Sequence, residues 1–555
     1  MKIKVTLFSI LLLHSLFLSA QIRIDWQQCY GSMKDDEIGN IIKKDNGYYV
    51  LGYVEEGESG MVECEFSGIR HTWLLEIDEN GGLLKQQCFD FAANKIFEST
   101  REAHSLFLLG LDGVGIANKD NPTIMKITKE GAPLWHRSFG AEDHNFLDGP
   151  KFTPTTDGGF ISSVSICFSG GDISHYYGFW DDWVVKLDSL GNIDWETTIG
   201  TEEGEYASSI IANPDGTYFA LITGSPGENG SIPNCKKPYY NSDAVVVRLS
   251  ADGNILDSQC YGGNENEGFG SVINLDNGCL FVGNTNSVDE DLEGSGWHSG
   301  YNHLGTPTSD AWLLRTDYDG NVLWSRCYGG SGDDYGSWVF QNDDGGFTVF
   351  GTTQSYDGDV QSGMDYFVAY NAGFGRKIWV FRTDAEGNLL WERVIGHKGQ
   401  DISLGDVIKE SDVEYTIAAT SVVGNDPEIM MDFNCTNSNL CFRDSYWVLH
   451  ITDIFDYDDP TGMEESMAET QPRLQMSVHP NPATTWAAIN YTLPNGNTKA
   501  ELSIFNAMGL RVKLVELEGN EGQKVLDLRE LAGGVYTCTI ACGGYFQTQK
   551  LVVTK

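Results

Sequence analysis

The chain has 555 residues and carries 79 acidic against 36 basic side chains, which gives a formal net charge of -43. An acidic surface of this kind repels phosphate backbones and anionic lipids, so the composition excludes nucleic acid and anionic membrane surfaces as partners. Cations, neutral sugars and other proteins remain.

Residues 1–20 read MKIKVTLFSILLLHSLFLSA, with two early lysines, an apolar core and small residues before Gln21. This pattern predicts a cleaved signal peptide. A membrane anchor is the alternative, but the apolar run is short and no second long run follows it. We therefore expect no transmembrane segment in the mature chain.

Residues 21–456 contain a sequence repeat built around two tryptophan positions. In six units the second position follows the first by twelve residues, and glycine usually comes five residues after that. Constant spacing, β-branched flanks and an intervening Asp-x-x-Gly-Asn predict a β-hairpin with a bulged turn. The first position of the seven units is occupied by Trp73, Thr123, Trp183, Val245, Trp312, Trp379 and Trp447.

Each unit also carries further strand signals, such as DGGFTVFGTT at residues 344–353, which makes about four short strands per unit. Seven such units predict an all-β fold, a seven-bladed β-propeller. The segment DWQQCYGS at 25–32 is half of a repeat hairpin, and YWVLHITD at 446–453 is the other half. We expect the first strand to complete the last blade and close the ring.

Insertions fall at one place in each repeat, before the hairpin, so they should share one face of the propeller. They mix aromatic residues with carboxylates and amides, a combination that stacks on sugar rings and orients ligands, although aromatic packing between loops is the alternative. We predict a binding face for a glycan or a protein. The candidate ligand-binding residues are Tyr176, Tyr177, Trp180, Tyr239, Tyr240, Trp297, Tyr301, Tyr356 and Tyr366.

Signatures of enzymes and metal sites are missing or incomplete. The chain has no Gly-x-Ser-x-Gly elbow, no His-Glu-x-x-His helix and no phosphate-binding loop, so we assign no catalytic residue and expect no cofactor. His298 and His303 with Asp289 and Asp291 fit no metal motif. The set Asp317, Asp319 and Asn321 resembles part of a calcium loop but lacks the distal glutamate, which favours a hairpin turn.

The segment LRTDYDGNVLW at 314–324 resembles the repeats of quinone-cofactor propellers. The adjacent cysteine pair of many such dehydrogenases is missing from this chain. A secreted propeller enzyme, either a glycan hydrolase or a quinone-type oxidoreductase, is therefore the alternative to a binding protein.

The twelve cysteines permit disulfides in an oxidising compartment. Four of them occupy the same repeat position, and equivalent positions on different blades should lie too far apart to bridge. These four, which we expect to be core thiols, are Cys29, Cys88, Cys260 and Cys327. Cys435 and Cys441 flank one short loop and are better candidates for a disulfide.

Residues 457–476 are acidic and poor in β-branched residues, which predicts a linker. Residues 477–555 then form a small β-sandwich domain in which VHPNPATTWAAINYTLP, LSIFNAMGLRV, LAGGVYTCTI and QKLVVTK follow in order. These motifs resemble the type A C-terminal sorting domain of the type IX secretion system. The residues that carry the resemblance are Pro480, Asn481, Pro482, Asn506, Gly509, Gly534, Tyr536 and Lys550.

That resemblance implies a route through the periplasm and across the outer membrane, with the type IX machinery as partner. It also implies that the passenger is released or attached to surface lipopolysaccharide. The sequence thus predicts a secreted or cell-surface propeller that binds or adheres to a glycan or protein ligand.

Overall fold

The computed structural model describes residues 21–32, 36–54, 61–63, 71–98, 105–112, 121–140, 150–224, 227–232, 241–298, 300, 307–362, 375–396, 400–423, 444–454, 475–480, 482–493, 499–506, 511–519, 521–529, 531–542 and 545–555. The chain divides into two compact units, residues 1–456 and residues 457–555. The signal peptide predicted at 1–20 lies outside the described residues.

Over its described residues, the first unit consists of antiparallel strands and one 3₁₀ turn, Glu290–Leu292. Its strands are β1 (Gln21–Tyr30), β2 (Asp36–Lys44), β3 (Gly47–Val54), β4 (His71–Ile77), β5 (Leu83–Phe89), β6 (Ala92–Glu98), β7 (Ser105–Asp112), β8 (Asn121–Thr128), β9 (Pro133–Ser138), β10 (Lys151–Pro154), β11 (Phe160–Ile166), β12 (Asp181–Leu187), β13 (Ile193–Ile199), β14 (Glu205–Ala212), β15 (Tyr218–Gly224), β16 (Asp243–Leu249), β17 (Ile255–Tyr261), β18 (Glu267–Leu275), β19 (Gly278–Thr285), β20 (Asp310–Thr316), β21 (Val322–Tyr328), β22 (Asp334–Gln341), β23 (Phe347–Thr353), β24 (Lys377–Thr383), β25 (Leu389–Ile395), β26 (Gln400–Lys409), β27 (Glu414–Val423) and β28 (Asp444–Ile454).

These strands form seven four-stranded sheets, which are the blades of a propeller. Blade 1 holds β2 to β5, blade 2 holds β6 to β9, and each later blade takes the next four strands until blade 6, with β22 to β25. The first strands of neighbouring blades contact one another, as β2 does with β26 and β6, so they are the inner strands around the axis. The predicted all-β, seven-bladed fold is confirmed.

Blade 7 joins the two ends of the repeat array. It holds β26, β27 and β28, and β1 is its outer strand. The pairing of β1 with β28 is antiparallel and sets Gln21 opposite Ile454 and Tyr30 opposite Tyr446. The predicted closure of the ring by its first strand is therefore confirmed.

The apolar core of the ring lies between the blades. Buried residues group into seven clusters, and each cluster joins two neighbouring blades. The cluster between blades 7 and 1 combines Tyr446 and Val448 with Trp73 and Leu75, so the closing interface is packed like the others. Since each blade leaves both faces apolar, only a complete ring buries all of them.

The first tryptophan of the repeat is a core residue with a fixed polar partner. Trp73, Trp183, Trp312, Trp379 and Trp447 are all almost fully buried. Each indole N–H donates to a side chain thirteen positions further along the repeat, as Trp183 Nε1 does to Glu196 Oε2 at 2.8 Å. The equivalent acceptors are Gln86, Ser325, Glu392 and Gln27.

The hairpin turns explain the Asp-x-x-Gly-Asn motif. In blade 5, Asp317 Oδ1 accepts hydrogen bonds from the backbone N–H groups of Asp319 (3.0 Å) and Asn321 (2.8 Å), and Oδ2 accepts one from the Asn321 amide (2.8 Å). Gly320 has a φ of +82°, in the region that favours glycine. The register shifts after Arg315, as in a bulged hairpin. The interpretation of this set as a hairpin turn is confirmed.

The second tryptophan and the turn glycine belong to neighbouring blades. A Cβ atom added to Gly253 of blade 4 would lie 2.5 Å from the indole ring of Trp195 in blade 3. Gly191 with Trp135 and Gly387 with Trp324 repeat this approach. The constant spacing of the repeat therefore stacks each blade on the next.

The prediction that four equivalent cysteines remain thiols is wrong for two of them. Cys88 and Cys260 are disulfide-bonded, whereas Cys29 and Cys327 are free. Equivalent positions on different blades are too far apart to bridge, but a cysteine at such a position can still pair with a cysteine elsewhere in the chain. Cys435 and Cys441 lie outside the described residues.

The second unit is a sandwich of two sheets. Its strands are β29 (Gln475–His479), β30 (Trp486–Thr492), β31 (Lys499–Asn506), β32 (Arg511–Glu518), β33 (Glu521–Asp527), β34 (Gly534–Cys542) and β35 (Tyr545–Val553). The sheets have the strand orders β29-β30-β33 and β32-β31-β34-β35. A core that includes Ile489, Leu502, Ile504 and Leu551 joins them.

Candidate functional site

The connections between strands fall at two ends of the ring. Because the strands alternate in direction, the loops between the second and third strands of a blade share one end with the loops that lead into the next blade. We call this end the loop face and the loops between second and third strands the crossing loops. The tight hairpin turns lie at the other end, so the predicted insertions occupy one face.

The crossing loops are tied to the preceding blade. In blade 3, the backbone N–H of Asp172 donates to the carbonyl oxygen of Gly140 at 2.8 Å, and the N–H of Gly140 donates to Asp172 Oδ2 at 2.9 Å. Ser231 with Gly200 and Asp359 with Gly329 make the same two bonds. The glycine after the second tryptophan thus anchors the loop of the next blade.

An apolar residue follows each anchoring residue and enters the core. These residues, which we call the loop anchors, are Val62, Ile173, Ile232, Leu292 and Val360, each at most 4% exposed. Each belongs to the cluster between its own blade and the preceding one, as Leu292 does between blades 4 and 5. The rigid base of the loops is therefore part of the core. Sequence reasoning missed this pattern, whose signal is only one apolar residue after the anchoring position.

Buried carboxyl groups fix the loops that lead from one blade to the next. Asp334 accepts hydrogen bonds from the Gly330 N–H (2.8 Å), the Ser355 hydroxyl (2.6 Å) and the Thr353 hydroxyl. Glu205 accepts two from Thr201, from its N–H and its hydroxyl, both at 2.7 Å. Both acids have no exposed surface. Burial raises the pKa of each to about 7, against the opposing effect of these hydrogen bonds.

Aromatic side chains gather where the crossing loop of blade 3 meets blade 4. We call this group, which consists of His175, Tyr176, Tyr177, Phe179, Trp180 and Tyr206, the aromatic patch. The rings of His175 and Tyr177 lie edge to face with centroids 4.3 Å apart, and those of Trp180 and Tyr206 lie 6.3 Å apart. The predicted residues Tyr176, Tyr177 and Trp180 are thus brought together.

Phe179 is a highly exposed member of the patch. Its side chain is 69% exposed, and its backbone φ of +59° is rare for a bulky residue. The carbonyl oxygen of Phe179 accepts a bond from the Tyr176 hydroxyl at 3.2 Å, and that of Trp180 accepts one from the Glu205 N–H at 2.8 Å. Phe179 and Tyr206 were missed because their proximity to the other rings depends on the contact between two blades.

Asp181 lies beneath the patch and is buried. Its Oδ2 accepts a hydrogen bond from the Tyr177 N–H at 2.6 Å, whereas its Oδ1 is buried without a hydrogen-bond partner. Burial raises the pKa of Asp181 to about 6, although the N–H groups of Tyr177 and Gly178 act in the opposite direction. The carboxyl group therefore holds the loop in the conformation that presents Phe179.

The other predicted ligand-binding residues lie elsewhere. Trp297 is half-buried and packs against the core between blades 4 and 5. Tyr356 is half-buried in the crossing loop of blade 6. Four of the predicted residues lie outside the described part of the chain: Tyr239, Tyr240, Tyr301 and Tyr366.

The residues considered for a metal site do not converge. His298 contacts Asp310, with Nδ1 to Oδ2 at 3.0 Å, and its Nε2 lies 3.8 Å from Asp359. Asp289 instead accepts a bond from the Asn264 N–H, and Asp291 accepts one from the Gly262 N–H. Within the described ranges, no group of three or more His, Cys, Asp or Glu side chains is placed to hold a metal ion. His303 lies outside those ranges.

In the second unit, the segment after β29 pairs with the end of the chain. The Ala483 N–H donates to the Val552 carbonyl oxygen, and the Thr554 N–H donates to that of Ala483, both at 2.8 Å. Pro480 and Pro482 are exposed just before this contact. The motif at the start of the unit is therefore joined to its last strand.

The remaining motif residues lie along the second sheet. Asn506 stands opposite Tyr536, whose hydroxyl donates to the Ala532 carbonyl oxygen at 3.0 Å. Gly534 begins β34, and Lys550 in β35 stands opposite Thr537. Asn481 and Gly509 lie outside the described residues.

Comparison with known proteins identifies this unit. Residues 477–554 match the family described as the secretion system C-terminal sorting domain. These residues form a type IX sorting domain. The sorting domain implies the type IX machinery as partner and makes the chain a substrate of that system, destined for secretion or for attachment at the outer membrane surface. No curated relative matches the chain in sequence.

Solved structures resemble the chain only weakly. PorZ, a surface component of the type IX secretion system of Porphyromonas gingivalis, is 9% identical with a TM-score of 0.32, over 95% of this chain and 60% of that one. The β-propeller domain of the Trilobed protease from Pyrococcus furiosus is 8% identical with a TM-score of 0.38, over 78% and 99%. Similarity at this level carries no conclusion about function.

In the described part of the chain, no helix has the length and apolarity needed to cross a bilayer.

Proposed function

We propose that this type IX substrate is a binding or adhesion protein, secreted or held at the cell surface, whose loop face takes a glycan through the aromatic patch. Aromatic faces stack on the apolar faces of sugar rings, and the polar groups of the loops would orient the sugar hydroxyls. A protein ligand on the same face is the alternative.

The observation that carries this proposal is Phe179, which is 69% exposed at a φ of +59°. Holding a large apolar ring in solvent on a strained backbone lowers stability, and such strain is concentrated at binding sites. The contacts of Tyr176 and Asp181 with this loop hold it in place without covering the ring.

The buried carboxyl groups of the loop face have a structural role. Glycoside hydrolysis needs two carboxyl groups that reach the substrate. Asp334, Glu205 and Asp181 have no exposed surface, and hydrogen bonds engage them in fixing the loops. We therefore assign no catalytic role to these three carboxyl groups.

The export route is part of the proposal. Residues 1–20 would direct the chain to the periplasm, residues 457–476 would act as a linker, and the sorting domain would take the ring at 21–456 across the outer membrane. The ring would then be released or attached to lipopolysaccharide, and of the nine aromatic residues predicted from the sequence Tyr176, Tyr177 and Trp180 would serve its ligand at the aromatic patch.

The test is a glycan array probed with the full secreted chain and with Phe179→Ala and Tyr177→Ala. We expect binding to at least one glycan class and at least tenfold weaker binding by each variant. Tyr318→Ala is the matched control, because Tyr318 is 57% exposed on a hairpin turn at the opposite end. Absence of glycan binding, or equal binding by Phe179→Ala, would contradict the proposal.

A further inference from the structure

A cavity of about 530 Å³ lies on the axis of the ring. Its lining comes from β14, β18, β22 and β26, the inner strands of blades 4 to 7, together with Lys151 of β10 in blade 3 and residues at the adjoining ends of other strands. The lining residues belong to the half of the ring near the loop face. The volume falls within the roughly 300 to 1,000 Å³ that is typical of small-molecule sites.

β-Bulges shape this cavity. The register of an inner strand shifts by one residue at Ser208 in blade 4, Gly270 in blade 5, Ser337 in blade 6 and Gly405 in blade 7. All four extra residues line the cavity. Bulges redirect side chains and are enriched beside binding sites. Repetition of the bulge in successive blades therefore builds a lining of small residues around an open axis.

The charge of the lining is opposite to that of the protein. The chain has 79 acidic and 36 basic residues, yet among the described residues that line the cavity two are basic, Lys151 and Arg376, and none is acidic. Lys95 lies beside the lining, since its Nζ is 5.5 Å from the ring centroid of Trp338, which lines the cavity. Each of the three cations also has a carboxylate neighbour outside the lining: Asp401 for Arg376, Asp182 for Lys151 and Asp406 for Lys95. A recess with charges of one sign concentrates ligands of the other sign.

Arg376 has donors to offer a ligand. Within the described residues its side chain hydrogen-bonds to Asp401, through Nε to Oδ1 at 3.3 Å, and this pair is nearly half-exposed. The two terminal NH₂ groups of the guanidinium remain for a planar acceptor. A guanidinium binds a carboxylate through two parallel hydrogen bonds, a geometry that the ammonium of lysine does not provide.

The remaining lining suits a sugar. Ser208, Ser337 and Ser403 line the cavity together with the aromatic residues Tyr335 and Trp338. Hydroxyls exchange hydrogen bonds with the hydroxyls of a sugar, and aromatic faces stack on its C–H groups.

We propose that the axial cavity is a second binding site, separate from the aromatic patch, and that it takes a carboxylate-bearing saccharide of the hexuronate class. Arg376 and Lys151 bind the carboxylate, the serines bind the hydroxyls and Trp338 stacks on the ring.

The test is calorimetric titration of the full secreted chain with trigalacturonate, its neutral counterpart galactotriose, and inorganic phosphate. We expect saturable binding of trigalacturonate that weakens with added salt, and at least tenfold weaker binding of the other two. Arg376→Gln and Lys151→Gln should each weaken trigalacturonate binding at least tenfold. Lys85→Gln removes one exposed positive charge from an outer strand and should leave binding unchanged.

The outcomes separate this site from the aromatic patch. Phe179→Ala should keep trigalacturonate binding. A negative glycan-array result for the aromatic patch would therefore not contradict the axial site, and a negative titration of the axial site would not contradict the aromatic patch. Phosphate binding as tight as trigalacturonate binding would overturn the saccharide assignment. No binding of trigalacturonate, or full binding by Arg376→Gln with an unchanged melting temperature, would overturn the site.

Discussion

The hydroxyl of Tyr328 in blade 5 donates a 2.6 Å hydrogen bond to the carbonyl oxygen of Gly387 in the hairpin turn of blade 6. Tyr261 makes the same bond to Gly320, and Tyr30 makes it to Gly81 across the closing interface between blades 7 and 1. Both partners of the Tyr328 bond are buried. The tyrosine before the anchoring glycine therefore joins one blade to the next.

Tyr328→Phe should lower the free energy of unfolding by about 1 to 3 kcal/mol, because it leaves a buried carbonyl oxygen without its donor. Chemical denaturation of the purified chain measures this change. Tyr176→Phe is the control, since its phenol bonds within its own exposed loop, and it should change stability by less than about 0.5 kcal/mol. Equal stability of the two variants would show that the bond between blades is not a stabilising contact.

Leu292→Ala tests the loop anchors. Leu292 is 1% exposed between blades 4 and 5, so the substitution should cost about 2 to 5 kcal/mol through lost burial and the cavity it leaves. Val288→Ala, in the same loop and 54% exposed, is the matched control and should be nearly neutral. If thermal unfolding shows no difference between the two variants, the anchoring of the crossing loops is wrong.

Deletion of residues 25–32 tests the closure of the ring. It removes most of β1, including the residues opposite Tyr446 to His450, and leaves an edge of β28 exposed. Stability should fall by several kcal/mol because the apolar contacts of the outer strand are lost. Hydrogen exchange should show faster exchange in β28 than in the blades on the far side of the ring. An unchanged melting temperature would contradict closure by β1.

The buried Asp334 predicts a pH dependence of stability. Its pKa is about 7 in the folded chain, raised by burial, against about 4 when unfolded. Between about pH 4 and about pH 7 the carboxyl group keeps its proton in the folded chain but loses it in the unfolded chain. The stabilisation from the protonated Asp334 is therefore largest below about pH 4 and is lost as the pH rises to about 7.

Asp334→Asn should therefore flatten the decline in melting temperature between pH 4 and pH 7 relative to the unmodified chain. Asp319→Asn removes one negative charge from an exposed turn and serves as the control. Parallel curves for the unmodified chain and Asp334→Asn would contradict the assignment of this titration to Asp334.

Removal of residues 547–555 tests the sorting domain in its native host. The deletion takes most of β35, including Val552, whose carbonyl oxygen accepts the bond from Ala483. The truncated protein should accumulate in the periplasm, and its ring should resist proteolysis as the full chain does, because the two units have separate cores. Normal amounts of truncated protein at the surface or in the medium would contradict the prediction.

The sequence was most informative where structure is local. Asp317, Gly320 and the tryptophan that follows lie close together in the chain, so their spacing predicted the hairpin, its turn and its bulge. The two half-repeats at 25–32 and 446–453 predicted the closure of blade 7, because each lacks the strand that the other supplies.

Contacts between blades were not predictable in the same way. The proximity of Tyr206 to Trp180, and the lining of one cavity by both Ser337 and Lys151, depend on strands that are not adjacent in the chain. Leu292 and Val360 anchor loops that differ in length and composition. Because the loops do not align with one another, the single apolar residue that they share could not be recognised in the sequence as an anchor. The disulfides of Cys88 and Cys260 likewise depend on contacts outside the repeat pattern.

The pairing of β1 with β28 also sets how the ring bears mechanical load. Gln21 stands opposite Ile454, so the start of β1 and the exit of the chain toward the sorting domain lie at the same end of one ladder. A force that pulls these two points apart would open the ladder one pair at a time. If the sorting domain is held and a ligand pulls on the ring, the force acts along β28. The hydrogen bonds of β28 to β27 on one side and to β1 on the other share that force. The closing strand therefore reinforces the one segment through which a surface-held ring would transmit tension.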